Sequence, residues 1–266
     1  MRSTSNPAFR NLPQGGFGGG YAGFQTQPQA NMPGYGGYQA PPTTSDRPMT
    51  VDDVVTKTAL TVGLALVVGI ITGIAVYSGA ISPFPPLFIG LIAGLVLSLV
   101  IIFKHTPNPA LVLSYSAAEG LFLGAITGIF SGVVEGIALQ AVIGTALVFV
   151  VMLVVYKTGA VKVTPKLTKW IIGATVAAAG LMLVNLIMSF FGFNPLRDGG
   201  TLSIVFSIIV IGIAAFNFLL DFDMADQMIR AGMPSKWAWY AAFGLMTTLV
   251  WLYLEILRLL YYLNQE

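Results

Sequence analysis

From residue 54 to residue 263 the chain is a succession of apolar runs, each near the ~20 residues that cross a bilayer as a helix. The runs cover 54–78, 84–103, 110–130, 136–156, 169–191, 201–222 and 237–263. The breaks between them, among them SGAISPFPP, KHTPNP and GFNPLRDGG, carry Gly, Pro or both, as turns between helices do. They are too short to hold a folded extramembrane domain. Because the runs are continuously apolar rather than alternating, their backbone groups must be satisfied within helices and not in a barrel. The expected fold is therefore all-α: a polytopic membrane protein whose residues 50–266 form a seven-transmembrane helix bundle. Composition agrees, with 9% charged residues against roughly 25% in soluble domains.

Residues 1–49 read differently. Stretches such as GGFGGGYAGF and PGYGGYQAPP are rich in Gly, Pro, Gln and scattered aromatics. Such a segment buries too little apolar surface to offset its ordering entropy, and is expected to be a disordered tail. TVDDVVTK, from Thr50 to Lys57, then opens a helix, with Thr50 as N-cap and Asp52 and Asp53 in the first turn. Orientation follows from Lys and Arg in the short connections. With an odd number of spans, Arg47, Lys57, Lys104, Lys157, Lys162, Lys166, Lys169, Arg230 and Lys236 fall on one side. Only Arg197 and Arg258 fall on the other. This bias predicts a cytoplasmic N-terminus and an external C-terminus in the cell membrane.

Several chemistries find no support. There is no cysteine for thiol catalysis or a thiolate metal site. The single histidine, His105, lies in a break, which leaves no His-based metal site or Ser-His triad. No P-loop, Rossmann fingerprint or HExxH occurs. A net charge of +2 gives no reason to expect a nucleic-acid partner. No catalytic residue, resident cofactor or enzyme activity is expected; the expected surroundings are membrane lipid.

What remains is a set of acids in or at the edge of lipid-grade segments, where a carboxylate costs at least a few kcal/mol unless paired, protonated or wet. Glu119 sits in SAAEGLFLG, roughly 14 Å into the third span. Asp221 and Asp223 close the sixth span in FNFLLDFD; Asp221 shares a helix face with Asn217 (i, i+4), whereas Asp223 points away from it. Glu255 lies in WLYLEILRLL, with Arg258 one turn on (i, i+3), and the two can form an intrahelical ion pair; Arg258 can instead reach the outer interface beside Tyr261 and Tyr262. Carboxylates without His or Cys suit hard cations or protons. Gly120, Gly124 and Gly128 form a small-xxx-small ladder in the third span, read as a packing face.

These motifs resemble the Bax inhibitor-1 family, the transmembrane Bax inhibitor motif group. The resemblance covers about residues 54–263, and rests on seven spans, the Glu119–Gly120 pair, the acidic end of the sixth span and the ending GMPSKWAWYAAFGLMTTLVWLYLEILRLL (residues 232–260). That ending is most similar to the YccA-like branch and its actinobacterial-type members. The resemblance implies a bundle around a central seventh helix that conducts Ca²⁺ as a slow, pH-sensitive leak. It further implies that a carboxylate on helix six pairs with one on helix seven as the pH sensor, which here means Asp221 or Asp223 with Glu255. Two departures stand out. Glu replaces the usual Asp on helix seven, and counting from the intervening turn gives a depth mismatch of roughly 15 Å, so Glu119 is an alternative partner for Glu255. Two close carboxylates in a low-dielectric site cannot both ionise cheaply; a shared proton holds them together, and its loss makes them repel or recruit a cation. The second reading is a regulatory membrane protein without transport activity that binds a membrane AAA protease or another membrane protein, with the tail as its working part.

Overall fold

The computed structural model describes residues 47–264, and the expected disordered tail lies, for residues 1–46, outside them. Seven helices carry the chain: α1 (Val51–Tyr77), α2 (Phe84–Lys104), α3 (Pro109–Ser131), α4 (Ile137–Thr158), α5 (Pro165–Ser189), α6 (Thr201–Arg230) and α7 (Ala238–Leu263). All seven are long and apolar enough to cross a membrane. Their starts are set by local chemistry. Thr50 and Asp53 form a reciprocal capping box at α1. Asn108 caps α3 ahead of Pro109, and Thr164 caps α5 ahead of Pro165.

α7 is the axis of the bundle and packs against α1, α3, α4 and α6. Its apolar side chains divide into two stripes at helical spacing. Leu245, Leu252 and Ile256 join Ala141 of α4 and Ala214, Phe218 and Phe222 of α6 in one core. Phe243, Met246 and Val250 join Ala65 of α1 and Val112 and Tyr115 of α3 in a second. α2 leans on α3, while α5 packs chiefly on α6 at the margin.

The glycine ladder of α3 makes a close helix contact with α1. A Cβ at Gly124 would stand 2.5 Å from the Gly69 carbonyl oxygen of α1, and one at Gly120 2.7 Å from that of Ala65. Backbone fills the space, as a small-residue face permits. A Cβ at Gly90 of α2 would meet the α3 backbone as closely, 2.5 Å from the Phe122 nitrogen, whereas Gly63, Gly173 and Gly180 face open space.

The bundle begins before residue 50. Met49 is buried among Val54, Met228 and Ala238, and its N–H donates to the Met233 carbonyl at 2.7 Å. The Ser235 N–H donates to the Arg47 carbonyl at 2.8 Å. Arg47 grips both oxygens of Asp53, at 2.7 and 2.8 Å, and Lys57 donates to the Ser235 carbonyl at 2.5 Å. Residues 47–57 thus form a clasp over the α6–α7 connection, and Arg47 to Met49, assigned by composition to the tail, belong with the helices.

α6 also runs further than its apolar stretch, eight residues beyond position 222 to Arg230. Hydropathy marks where a segment leaves lipid. The helix itself continues, with Ala225 and Met228 buried in the core and Asp226 pairing with Arg230 at 2.6 Å (i, i+4) on its outer side.

Candidate functional site

Asp221 faces α7. Its Oδ2 accepts the Thr248 hydroxyl at 2.6 Å, and Gly244, one turn earlier on α7, leaves room beside Oδ1. Thr248 is itself buried. On the other flank of α7, Thr247 shares a hydrogen bond with the Tyr115 hydroxyl of α3 at 3.2 Å. Tyr115 interacts in turn with the carboxyl of Glu119, one turn on along α3. Glu119 reaches towards α2, where a Cβ added at Gly94 would lie 2.9 Å from its Oε1. Adjacent threonines on the central helix therefore face two acids on opposite neighbours, Asp221 directly and Glu119 through Tyr115.

These groups stand at comparable depth. Glu119 is about 15 Å along α3 from Pro109, Thr248 about 15 Å along α7 from Ala238, and Asp221 about 14 Å from the Arg230 end of α6. All three helix ends lie on the side that carries Lys104, Arg230 and Lys236. Among the described residues, no Lys, Arg or His forms an ion pair with Glu119 or Asp221.

Glu255 occupies a different place. It lies about 10 Å further along α7 than Thr248, towards the opposite end. There it pairs with Arg258, with Trp251 one turn back along α7. Glu255 is 3% exposed, so the ion pair is buried. Arg197, from the α5–α6 connection, lies near enough to feel both members. Of the two arrangements open to Arg258 in the sequence, the structure shows the intrahelical pair. The carboxylate pairing implied for helices six and seven is not formed, and Glu119 does not meet Glu255 either: Asp221 opposes Thr248, and both acids sit at the level of the threonines rather than of Glu255.

The remaining residues divide by role. Asp223 is turned outward and accepts Gln227 at 2.6 Å. Asn217 donates to Thr175 of α5 at 2.8 Å and to the Ile213 carbonyl, so it ties α5 to α6 and makes no bond to Asp221. Asp226, which reads as a solvated interfacial acid, also accepts the Tyr156 hydroxyl of α4 at 3.3 Å. At the start of α6, Asp198 accepts the Gly200 N–H and the Ser203 hydroxyl, which hold its carboxyl below the usual carboxylate range. Tyr115, Thr247 and Thr248 were not candidates from sequence. The available signal was a polar pair in an apolar span, ten positions into α7 as Glu119 is ten positions into α3. Among the described residues no three His, Cys, Asp or Glu side chains converge as metal ligands would.

The fold and site define a polytopic helical membrane protein with acids held between its spans. The chain belongs to the Bax inhibitor 1 like family, whose model matches residues 6–265. The match reaches well into the Gly- and Pro-rich segment, which the motifs alone had placed outside the resemblance. No curated protein matches the chain.

Proposed function

We propose that this protein is a pH-sensitive leak pathway for cations, Ca²⁺ foremost, across the cell membrane, with its N-terminus in the cytoplasm. One observation carries the reading: Asp221, inside the bundle, meets a threonine hydroxyl of the central helix and, among the described residues, no base. A carboxylate so placed has two stable forms. Protonated, it is neutral and joins α6 to α7 through Thr248. Ionised, it has only one hydroxyl donor for its charge, and so draws in water or a cation; carboxylate and hydroxyl oxygens are the hard ligands Ca²⁺ takes. Glu119 presents the same alternative on the α3 side of α7. Single carboxylates staggered around one helix suit passage of an ion better than its retention, because permeation needs sites weak enough to leave.

Ca²⁺ flux into proteoliposomes, measured in buffers from acidic to neutral, tests this. Wild type should show flux that changes with pH. Asp221→Asn, which keeps the bond to Thr248 but cannot ionise, should flatten that dependence, and Glu119→Gln should alter it less. An Asp221→Asn protein with the wild-type pH profile would sink the reading. No flux at any pH from folded wild type would favour the alternative, a regulatory protein that binds a membrane AAA protease. Such a protein would lose its effect when residues 1–46 are deleted.

A further inference from the structure

We infer that the first turns of α5 hold an anionic phospholipid, with its phosphate between Lys166 and Lys169 and an acyl chain along the helix above them. A groove of about 440 Å³ runs there, lined by Lys166, Lys169, Trp170, Gly173, Ala174 and Ala177. The spacing i, i+3, i+4, i+7, i+8, i+11 places all six on one face of α5. α5 packs chiefly on α6, held there by Asn217 and Thr175, and Trp170 on its outer face is 70% exposed. No side chain of this bundle fills the space at Gly173. Small residues make a trough as wide as a hydrocarbon chain, and Trp170 marks the headgroup level at which indoles settle.

Charge selects the occupant. Lys157, Lys162, Lys166 and Lys169 crowd the α4–α5 connection, and no acidic residue occurs between Glu135 and Asp198. None of the four lysines forms an ion pair among the described residues. The small face of α5 could in principle seat a second copy of the chain, as Gly- and Ala-rich spans do. A two-fold pairing through this face would bring Lys166 and Lys169 against their own counterparts. A phosphate diester removes the repulsion and accepts from both ammonium groups, while its chain covers the trough. Clusters of lysine beside a span attract anionic headgroups in this way.

The test is native mass spectrometry of the full-length protein released from micelles holding equal phosphatidylglycerol and phosphatidylcholine. Wild type should retain phosphatidylglycerol with a preference of about tenfold. The exposed double variant Lys166→Gln/Lys169→Gln should lose most of it. Lys157→Gln/Lys162→Gln, with the same change in net charge, should keep it. In parallel, dibrominated phosphatidylglycerol should quench wild-type tryptophan fluorescence more than that of Trp170→Phe. Equal loss in both lysine variants would mean a diffuse field and would overturn the site. So would unchanged retention in Lys166→Gln/Lys169→Gln, or a wild-type dimer that Gly173→Leu dissociates.

Discussion

The two halves of α7 treat a buried acid in opposite ways. In the half nearer Ala238, Asp221 and Glu119 approach α7 from neighbouring helices and find hydroxyls: Thr248, and Thr247 by way of Tyr115. In the half nearer Leu263, the acid belongs to α7 itself and finds a guanidinium one turn away. The second arrangement is closed. Glu255 and Arg258 neutralise each other inside one helix, and no movement between helices is needed to keep them paired. The first arrangement crosses helix boundaries, so the charge state of an acid is also a statement about how two helices sit together. A switch belongs where protonation alters a contact between moving parts, and α7 has such contacts in one half only.

Breaking the closed half should have the largest effect on folding. Arg258→Ala leaves Glu255 buried without its base, and removal of one partner of a buried pair costs about 3–5 kcal/mol. The thermal midpoint in detergent should fall steeply, and whatever protein remains folded should keep the wild-type pH profile of flux. A loss of pH response at unchanged midpoint would reverse the assignment of the two halves. Next, Thr248→Val removes the one side-chain hydrogen bond that Asp221 makes among the described residues. Bonds to charged groups contribute about 1.5–3 kcal/mol, so the midpoint should drop less than in Arg258→Ala while the pH profile moves. Asp221→Asn retains that bond and should shift the midpoint least of these three, within about 1 kcal/mol, while flattening the pH dependence. An equal loss of stability in Asp221→Asn and Arg258→Ala would erase the contrast.

The smallest expected effect concerns Asp198, beyond the end of the closed half. The Gly200 N–H and the Ser203 hydroxyl lower its carboxyl below the ordinary 3.8. A lowered acid stabilises the fold above its unfolded value, and that contribution is lost as pH falls through the folded one. Wild type and Asp198→Ala should therefore differ by a small constant amount near neutrality and converge under strongly acid conditions. A gap that widened on acidification would contradict the bonding at the start of α6.

The helices were legible in the sequence because lipid leaves so little choice: a segment that must satisfy its own backbone is a helix, and hydropathy finds it. The one large boundary difference, α6 running on to Arg230, arises because hydropathy reports the solvent and not the conformation. The site was legible in part. Glu255 and Arg258 are three residues apart on one helix, and their pairing needs nothing beyond that spacing. Asp221 meets Thr248, and Glu119 reaches Thr247 through Tyr115, by the rotation and tilt of three different helices. No one-dimensional pattern carries those angles. That is also why Asn217, on the face of Asp221 by spacing, turned out to serve α5. The clasp stayed hidden for a related reason, since its residues bond to positions near 235 and Arg47 to Met49 follow directly on the tail.

That clasp bears on how the chain comes to be assembled. Lys57 and the Ser235 carbonyl it grips are 178 positions apart, and the partners of Met49 and Arg47 lie equally late. On the ribosome the clasp residues are among the first described ones to emerge. Their seat does not exist until α6 and the turn after it have been made, because a non-local contact waits for everything between its ends. The opening of α1 is synthesised first and locked last, so the clasp closes only on a chain that has delivered its sixth helix and begun its seventh. A protein cut short before that point would lack this closure and expose Met49.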